Sequence, residues 1–226
     1  MKDIQKPNYQ KQLDEILLGI VRQYELDPGK KQSLLLHACC APCSSYVIEY
    51  LSSYFDITVY YYNPNIYPPE EYHRRLAELR KFLPLFPPAE QNSVKLVETV
   101  YEPHEYDDAV KISETPSLAD ENERGERCRR CYELRMSRSY RYAAKNGFDW
   151  FTTTLSISPF KDADKINNIG RALEKSGGPR FLTSDFKKKS GFLRSLQISS
   201  EYGLYRQQYC GCRYSLNNTK HGCNPS

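Results

Sequence analysis

At 226 residues, with 39 % hydrophobic and 27 % charged side chains, the chain can build one substantial core and lies far from the low-hydrophobicity composition of a disordered segment. Its formal net charge of +4 is too small to announce a nucleic-acid or membrane partner by itself. No apolar run approaches the roughly 20 residues of a membrane span, and Met1 to Lys11 is polar where a secretion signal would be apolar, so a cytoplasmic protein with no membrane partner is expected.

Leu13, Ile16, Leu17, Ile20 and Val21 recur at helical spacing and predict an amphipathic helix over Asn8 to Leu26, stopped by Asp27-Pro28-Gly29. Ser33 to His37 carries the run Leu34-Leu35-Leu36, a short buried strand leading straight into Ala38-Cys39-Cys40-Ala41-Pro42-Cys43, and a helix is expected from Ser44 to Ser53. Phe55 to Tyr62 is rich in β-branched and aromatic residues and ends at Asn63-Pro64-Asn65, a loop signal. A helix over Pro69 to Phe82 and a short strand over Lys95 to Glu98 follow. Ser113 to Gly125 is polar and aperiodic, the composition of a mobile loop, ahead of a helix from Glu126 to Asn146 closed by Gly147. Strand Trp150 to Leu155, helix Asp164 to Ser176, strand Arg180 to Thr183, helix Leu193 to Tyr202 and an irregular tail complete the chain. Strand and helix alternate throughout, which argues an α/β, Rossmann-like parallel sheet with helices on both faces and a site on the strand C-terminal loops. Residues 1–31 read as an N-terminal helical extension, 32–216 as the Rossmann-like domain and 217–226 as a C-terminal tail.

Seven of the eight cysteines fall into three short-spaced groups: Cys39, Cys40 and Cys43 after the first strand, Cys128 and Cys131 on a helix, and Cys210 and Cys212 in the tail. Cytosolic thiols stay reduced, so the grouping reads as a cysteine-rich metal pocket and not as disulfides. The i, i+3 spacing of Cys128 and Cys131 places both sulfurs on one helix face, within reach of a single centre. That stripe continues through Arg135, Arg138 and Tyr142, while Tyr132, Met136, Tyr140 and Ala143 form the neighbouring core face. Spacing alone fits tetrahedral zinc as well as an iron-sulfur cluster, but one zinc would leave three clustered thiols without a task. Cys40-Ala41-Pro42-Cys43 also has the spacing of a redox-active Cys-x-x-Cys, a motif to which Cys39 does not belong. Cys223 joins no group. His37 is a candidate ligand or proton donor, set against the commoner satisfied structural histidine, and Tyr209 and Tyr214 are the aromatic candidates nearest the tail cysteines.

Basic residues cluster at Arg129, Arg130, Arg135 and Arg138 and again at Lys187, Lys188 and Lys189, as candidate phosphate contacts, although charge runs are often only solvated faces. The Gly-x-Gly-x-x-Gly phosphate fingerprint is absent, so no dinucleotide or ATP is expected as cofactor.

The ordered motifs His37 to Cys43, Tyr61-Tyr62-Asn63-Pro64-Asn65-Ile66, Arg127-Cys128-Arg129-Arg130-Cys131, Thr152 to Pro159 and Tyr205-Arg206-Gln207-Gln208-Tyr209-Cys210-Gly211-Cys212 resemble the QueH family of epoxyqueuosine reductases over Ser33 to Ser215. The resemblance implies a Rossmann-like domain similar to the ATP-pyrophosphatase group, holding a [4Fe-4S] cluster with a second, mononuclear iron nearby. It also implies cobalamin-independent reduction of epoxyqueuosine to queuosine at the wobble position of tRNA. Partners would be the anticodon stem-loop of the tRNA and an electron donor such as ferredoxin or flavodoxin. On this reading Cys39, Cys128, Cys131, Cys210 and Cys212 bind the cofactor, Cys40, Cys43 and Tyr209 act at the reacting centre, and all seven grouped cysteines ligate metal. Cys43 stands where some members carry Asp, a harder ligand for the same role. The rival readings are a zinc-stabilised RNA-binding module and an ATP-dependent tRNA sulfur transferase on the same general fold, against which the missing phosphate-loop glycines count.

Overall fold

The computed structural model describes residues 7–26, 28–29 and 31–220. Among these, β1 (Gln32–His37), β2 (Phe55–Tyr61), β3 (Lys95–Glu98), β4 (Trp150–Thr153) and β5 (Arg180–Phe181) form one all-parallel sheet in the order β3-β2-β1-β4-β5. The helices are α1 (Tyr9–Leu26), α2 (Ala41–Leu51), α3 (Pro69–Phe82), α4 (Pro87–Glu90), α5 (Pro103–Val110), α6 (Glu126–Lys145), α7 (Ala163–Glu174), α8 (Gly191–Glu201) and α9 (Arg213–Lys220). None of the described helices is long and apolar enough to cross a membrane.

Side chains alternate across a strand, so the three consecutive leucines of β1 serve both faces of the sheet. Leu34 and Leu36 join Ile57, Val59 and Trp150 in a core with Leu13 and Leu17 of α1, Val47 and Ile48 of α2, Leu76 of α3 and Ile198 of α8. Leu35 joins Tyr60, Phe151 and Phe181 on the other face, closed by Tyr132, Met136, Tyr140 and Ala143 of α6 and Ile166 of α7. The expected parallel sheet covered on both faces is therefore present, and the leading helix packs into the larger core.

Local chemistry shifts several boundaries. α2 starts at Ala41, ahead of Ser44, because Cys40 caps it: the Cys43 N–H donates to Cys40 Sγ at 3.4 Å, and Pro42 sits in the first turn, where it suits a helix start. β4 ends at Thr153, whose hydroxyl accepts the Leu155 N–H and turns the chain into a 3-10 turn, Thr154–Ile157. β5 is two residues long. The polar stretch over Ser113 to Gly125 is fastened down: the buried Arg127 guanidinium donates to the carbonyls of Leu118, Ala119 and Glu121, and the Glu121 carboxylate accepts the Glu126 and Arg127 N–H groups at 2.7 Å each. α5 and α9 lie in stretches where sequence periodicity is too weak to announce a helix; α5 buries only Tyr106 and Val110.

From β1 the chain moves out to β2 on one side, while β4 arrives on the other, so the strand order reverses at β1 and β4. In open α/β sheets the crevice beyond the carboxyl ends of such strands is where ligands bind.

Candidate metal centre

Three cysteines occupy that crevice directly after β1. The sulfurs of Cys39, Cys40 and Cys43 lie within 4.8 Å of one another, the one group of three or more potential ligands so close among the described residues. Cys39 and Cys40 sulfurs are 3.8 Å apart, and Gln207 Nε2 donates to Cys40 Sγ at 3.2 Å. Nucleotide-binding α/β folds aim the N-terminus of the first helix at a phosphate; here the same helix start is filled by thiols, which its dipole helps to ionise. Hydrogen bonds from Cys40 and Cys43, with Arg135 and Arg75 nearby, hold the Cys39 thiol well below its usual range against the effect of burial. Burial and the Cys39 charge push Cys40 up to about 12, and hydrogen bonding to Cys39 and Cys40 raises Cys43. The trio thus holds one negative charge and two protons in the metal-free protein.

The other four thiols gather from two elements. Cys128 and Cys131 stand in the first turns of α6, and Cys210 and Cys212 flank Gly211 ahead of α9; Cys128, Cys131 and Cys212 are buried. Tyr106 and Val110 of α5 cover Cys131 and Cys212. Burial, reinforced by Cys210, pushes Cys128 up to about 11 and raises Cys212, and burial pushes Cys131 up to about 12. Lys161, also buried, hydrogen-bonds Cys210 Sγ; burial works against its charge, yet Cys210, Tyr132 and Glu123 keep its pKa well above the usual lysine value.

Between the two groups sits Arg135. At 2 % exposure it donates from Nη2 to Asn63 Oδ1 at 2.6 Å and lies 3.4 Å from His37 Nε2, and Cys131, Cys39 and Cys210 surround it and favour its charge against burial. The expectation of a surface phosphate contact at Arg135 is therefore corrected: the stripe beyond Cys131 turns inward, and this guanidinium faces thiols. His37 is likewise settled as structural. Fully buried, with Thr153 Oγ1 2.8 Å from Nδ1 and the Tyr62 carbonyl 3.1 Å from Nε2, it has its pKa lowered to about 3 by burial and then by Arg135, so the ring is neutral and both nitrogens are engaged.

A cavity of about 510 Å³ opens onto both groups, lined among others by Cys39, Cys43, Cys210, Arg135, Lys161 and Tyr209. Tyr209 is half-buried at its wall and donates its hydroxyl to the Tyr67 carbonyl. Tyr214 packs beside Cys212, its ring 5.2 Å from the Arg127 guanidinium. The remaining basic candidates are on or near the surface in ion pairs: Arg129 with Glu126 and Glu133, Arg130 with Glu126, Arg138 with Glu105, Lys187 with Asp185 and Lys189 with Asp14, while Lys188 is exposed. Cys223 lies outside the described residues.

Sequence reading passed over Lys161, Gln207 and Arg75. Lys161 follows the Thr152 to Pro159 motif by two residues, and Gln207 lies within the Tyr205 to Cys212 motif, so proximity to the motifs was the available signal. Arg75 is hidden in the amphipathic pattern of α3, where an arginine reads as solvated; it is completely buried.

The family model described as "Epoxyqueuosine reductase QueH" matches residues 34–218. Curated proteins carrying that same description include one from Streptococcus pyogenes serotype M1, 39 % identical over 92 % of this chain and 80 % of its own length. Another, from Staphylococcus epidermidis, is 39 % identical over 93 % of this chain and 85 % of its own. A third, from Haemophilus influenzae, is 37 % identical over 93 % and 82 %.

Proposed function

The chain belongs to the epoxyqueuosine reductase QueH family of oxidoreductases, and from that premise we propose that it reduces epoxyqueuosine to queuosine at the wobble position of tRNA in the cytoplasm, with iron held by its seven grouped cysteines and without cobalamin. The observation that carries the reading is the pairing of a close thiol trio with a wider four-thiol group across one cavity at the topological switch point. The donor sets fit the groups the family implies. Three soft ligands close enough to share one ion, two of them lining a cavity, suit a metal with a position left for substrate. Four buried thiols on two elements, more widely spread than the trio, suit a four-iron cluster, which takes one thiolate at each corner. Cys128, Cys131, Cys210 and Cys212 would hold the cluster, and Cys39, Cys40 and Cys43 the mononuclear iron.

Removing the epoxide oxygen breaks both of its C–O bonds, takes in two electrons and two protons, releases water and leaves a carbon-carbon double bond. When bound, the iron centres supply the electrons, one at a time, and the Lewis acidity that weakens the C–O bonds. The chain supplies the rest. The cavity walls exclude bulk water around the reacting carbon atoms. Lys161 holds its proton at Nζ beside the cavity, and Arg135 contributes a fixed positive charge where negative charge develops on the departing oxygen. Tyr209 shapes the wall next to the reacting centre. Arg129, Arg130, Arg138 and Lys187 to Lys189 contact phosphates of the anticodon stem-loop, and ferredoxin or flavodoxin delivers the electrons.

Anaerobic reconstitution with iron and sulfide, followed by incubation with a chemical reductant and tRNA carrying epoxyqueuosine, tests the proposal. Broad visible absorbance that bleaches on reduction, together with a nucleoside lighter by one oxygen atom, is expected. A protein that takes up zinc alone, stays colourless with iron and leaves the nucleoside unchanged would refute it.

A further inference from the structure

Arg75 is the most completely enclosed charge in the chain, at 0 % exposure. Its Nε donates to Glu71 Oε1 at 2.7 Å, and Glu71 also accepts the Tyr205 hydroxyl at 3.2 Å. Both terminal nitrogens, Nη1 and Nη2, are buried without a hydrogen-bond partner among the described residues. A guanidinium offers five N–H donors, and a buried donor left unpaired costs about 1–3 kcal/mol, more on a charged group. Such a group is retained where an acceptor becomes available.

The acceptor is indicated by what surrounds it. Nη1 lies against Gly211, between Cys210 and Cys212, only 3.0 Å from where a β-carbon on that glycine would be. On its other side, Cys40 and Cys39 act on the Arg75 charge and favour it against burial, Cys40 more strongly than the Glu71 partner. Gln207 already donates to Cys40 Sγ, and its own Oε1 is buried and unpartnered, as is Asn65 Oδ1. In the metal-free protein Cys40 keeps its proton, so its sulfur is a weak acceptor. A metal that displaces this proton turns the same sulfur into a charged acceptor beside donors already in place.

We infer that Arg75 and Gln207 are positioning residues for the Cys39, Cys40 and Cys43 site, fixing the Cys40 sulfur as a metal ligand by donating to it from two sides. The inference rests on the metal reading above and goes beyond it, because it assigns the outer partners that orient one ligand. Removing such partners lowers metal affinity about 10–100-fold in known metal sites.

The test is titration of the reduced, metal-free full-length protein with Co(II), following the thiolate-to-cobalt absorption component that disappears in Cys40→Ser. Arg75→Met is made together with Glu71→Gln, so that no unpaired carboxylate is left in the core, and compared with Glu71→Gln alone. The double variant and Gln207→Leu should each bind Co(II) at this component about 10–100-fold more weakly than their references. Arg75→Lys keeps the ion pair but loses the fork, so it should recover the melting temperature of the metal-free protein without recovering the affinity. Unchanged affinity in both the double variant and Gln207→Leu would overturn the inference. So would an affinity loss that Arg75→Lys restores in full along with the melting temperature, since that pattern marks a purely structural ion pair. Gln207→Leu disturbs no ion pair and decides the matter should the double variant fail to fold. If the wild type shows no component that depends on Cys40, the metal reading itself falls, an outcome distinct from the others.

Discussion

Gly211→Ala would put one methyl group between Cys210 and Cys212, and the structure allows its effect to be worked out. Gly211 has φ +118°, a conformation that an L side chain adopts only at a cost of about 1–3 kcal/mol. The new β-carbon would lie 3.0 Å from Arg75 Nη1, 3.3 Å from Ile66 Cγ1 and 3.5 Å from Asn65 Nδ2. These neighbours cannot yield easily: Arg75 is tied to Glu71, and both Ile66 and Asn65 are buried. Overpacking of this kind adds about 1–3 kcal/mol, giving a loss of about 2–6 kcal/mol in total. Gly147 provides the control, with φ +68° but nothing within 4 Å of an added β-carbon, so Gly147→Ala should show the backbone cost alone, about 1–2 kcal/mol. Urea unfolding of both reduced, metal-free variants measures the two losses, with the slope of the transition expected to match the wild type. A Gly211→Ala variant no less stable than Gly147→Ala would refute the reasoning, because the close approach of the Cys210-Gly211-Cys212 turn to Arg75 would then carry no energetic weight.

Cys128→Ser should strip most of the cluster iron while leaving an ion at Cys39, Cys40 and Cys43, with Cys223→Ser changing neither; iron analysis alongside the visible spectrum distinguishes them. Raised folded-state thiol pKa values, at about 12 for Cys40 and Cys131 and about 11 for Cys128, mean that the metal-free native state keeps protons the unfolded chain gives up. Stability of the metal-free protein should therefore fall as pH rises above about 8.5, by up to ~1.4 kcal/mol per unit for each such thiol, while the lowered Cys39 acts in the opposite sense; melting temperatures between about pH 8 and about pH 10 read the net change. Lys188→Gln should shallow the dependence of tRNA affinity on salt by about one unit in log-log form, and an unchanged slope would remove this residue from the phosphate contacts.

The order of elements was legible because each carries a local signature. Three leucines mark a strand buried on both faces, Asp27-Pro28-Gly29 stops a helix, and the Tyr132, Met136, Tyr140 and Ala143 stripe marks the core side of α6. The seven grouped cysteines were legible for the same reason, since short spacing survives in one dimension. α5 and α9 were not, because helices of eight residues owe their stability to packing more than to propensity. Fates of the charged residues also needed the folded chain. Arg129 and Arg135 both lie on α6 in the same basic stretch, yet one pairs with Glu126 and Glu133 on an open face and the other is enclosed among thiols beside Asn63. That difference arises from strands and loops more than 70 residues away in sequence, and no local pattern encodes it. The division of the cysteines is of the same kind. Sequence identified three groups; the sheet order and the return of the Cys210 to Cys212 segment to α5 and α6 resolved them into a close trio and a wider set of four, because only tertiary packing brings Cys131 and Cys212 under the same tyrosine.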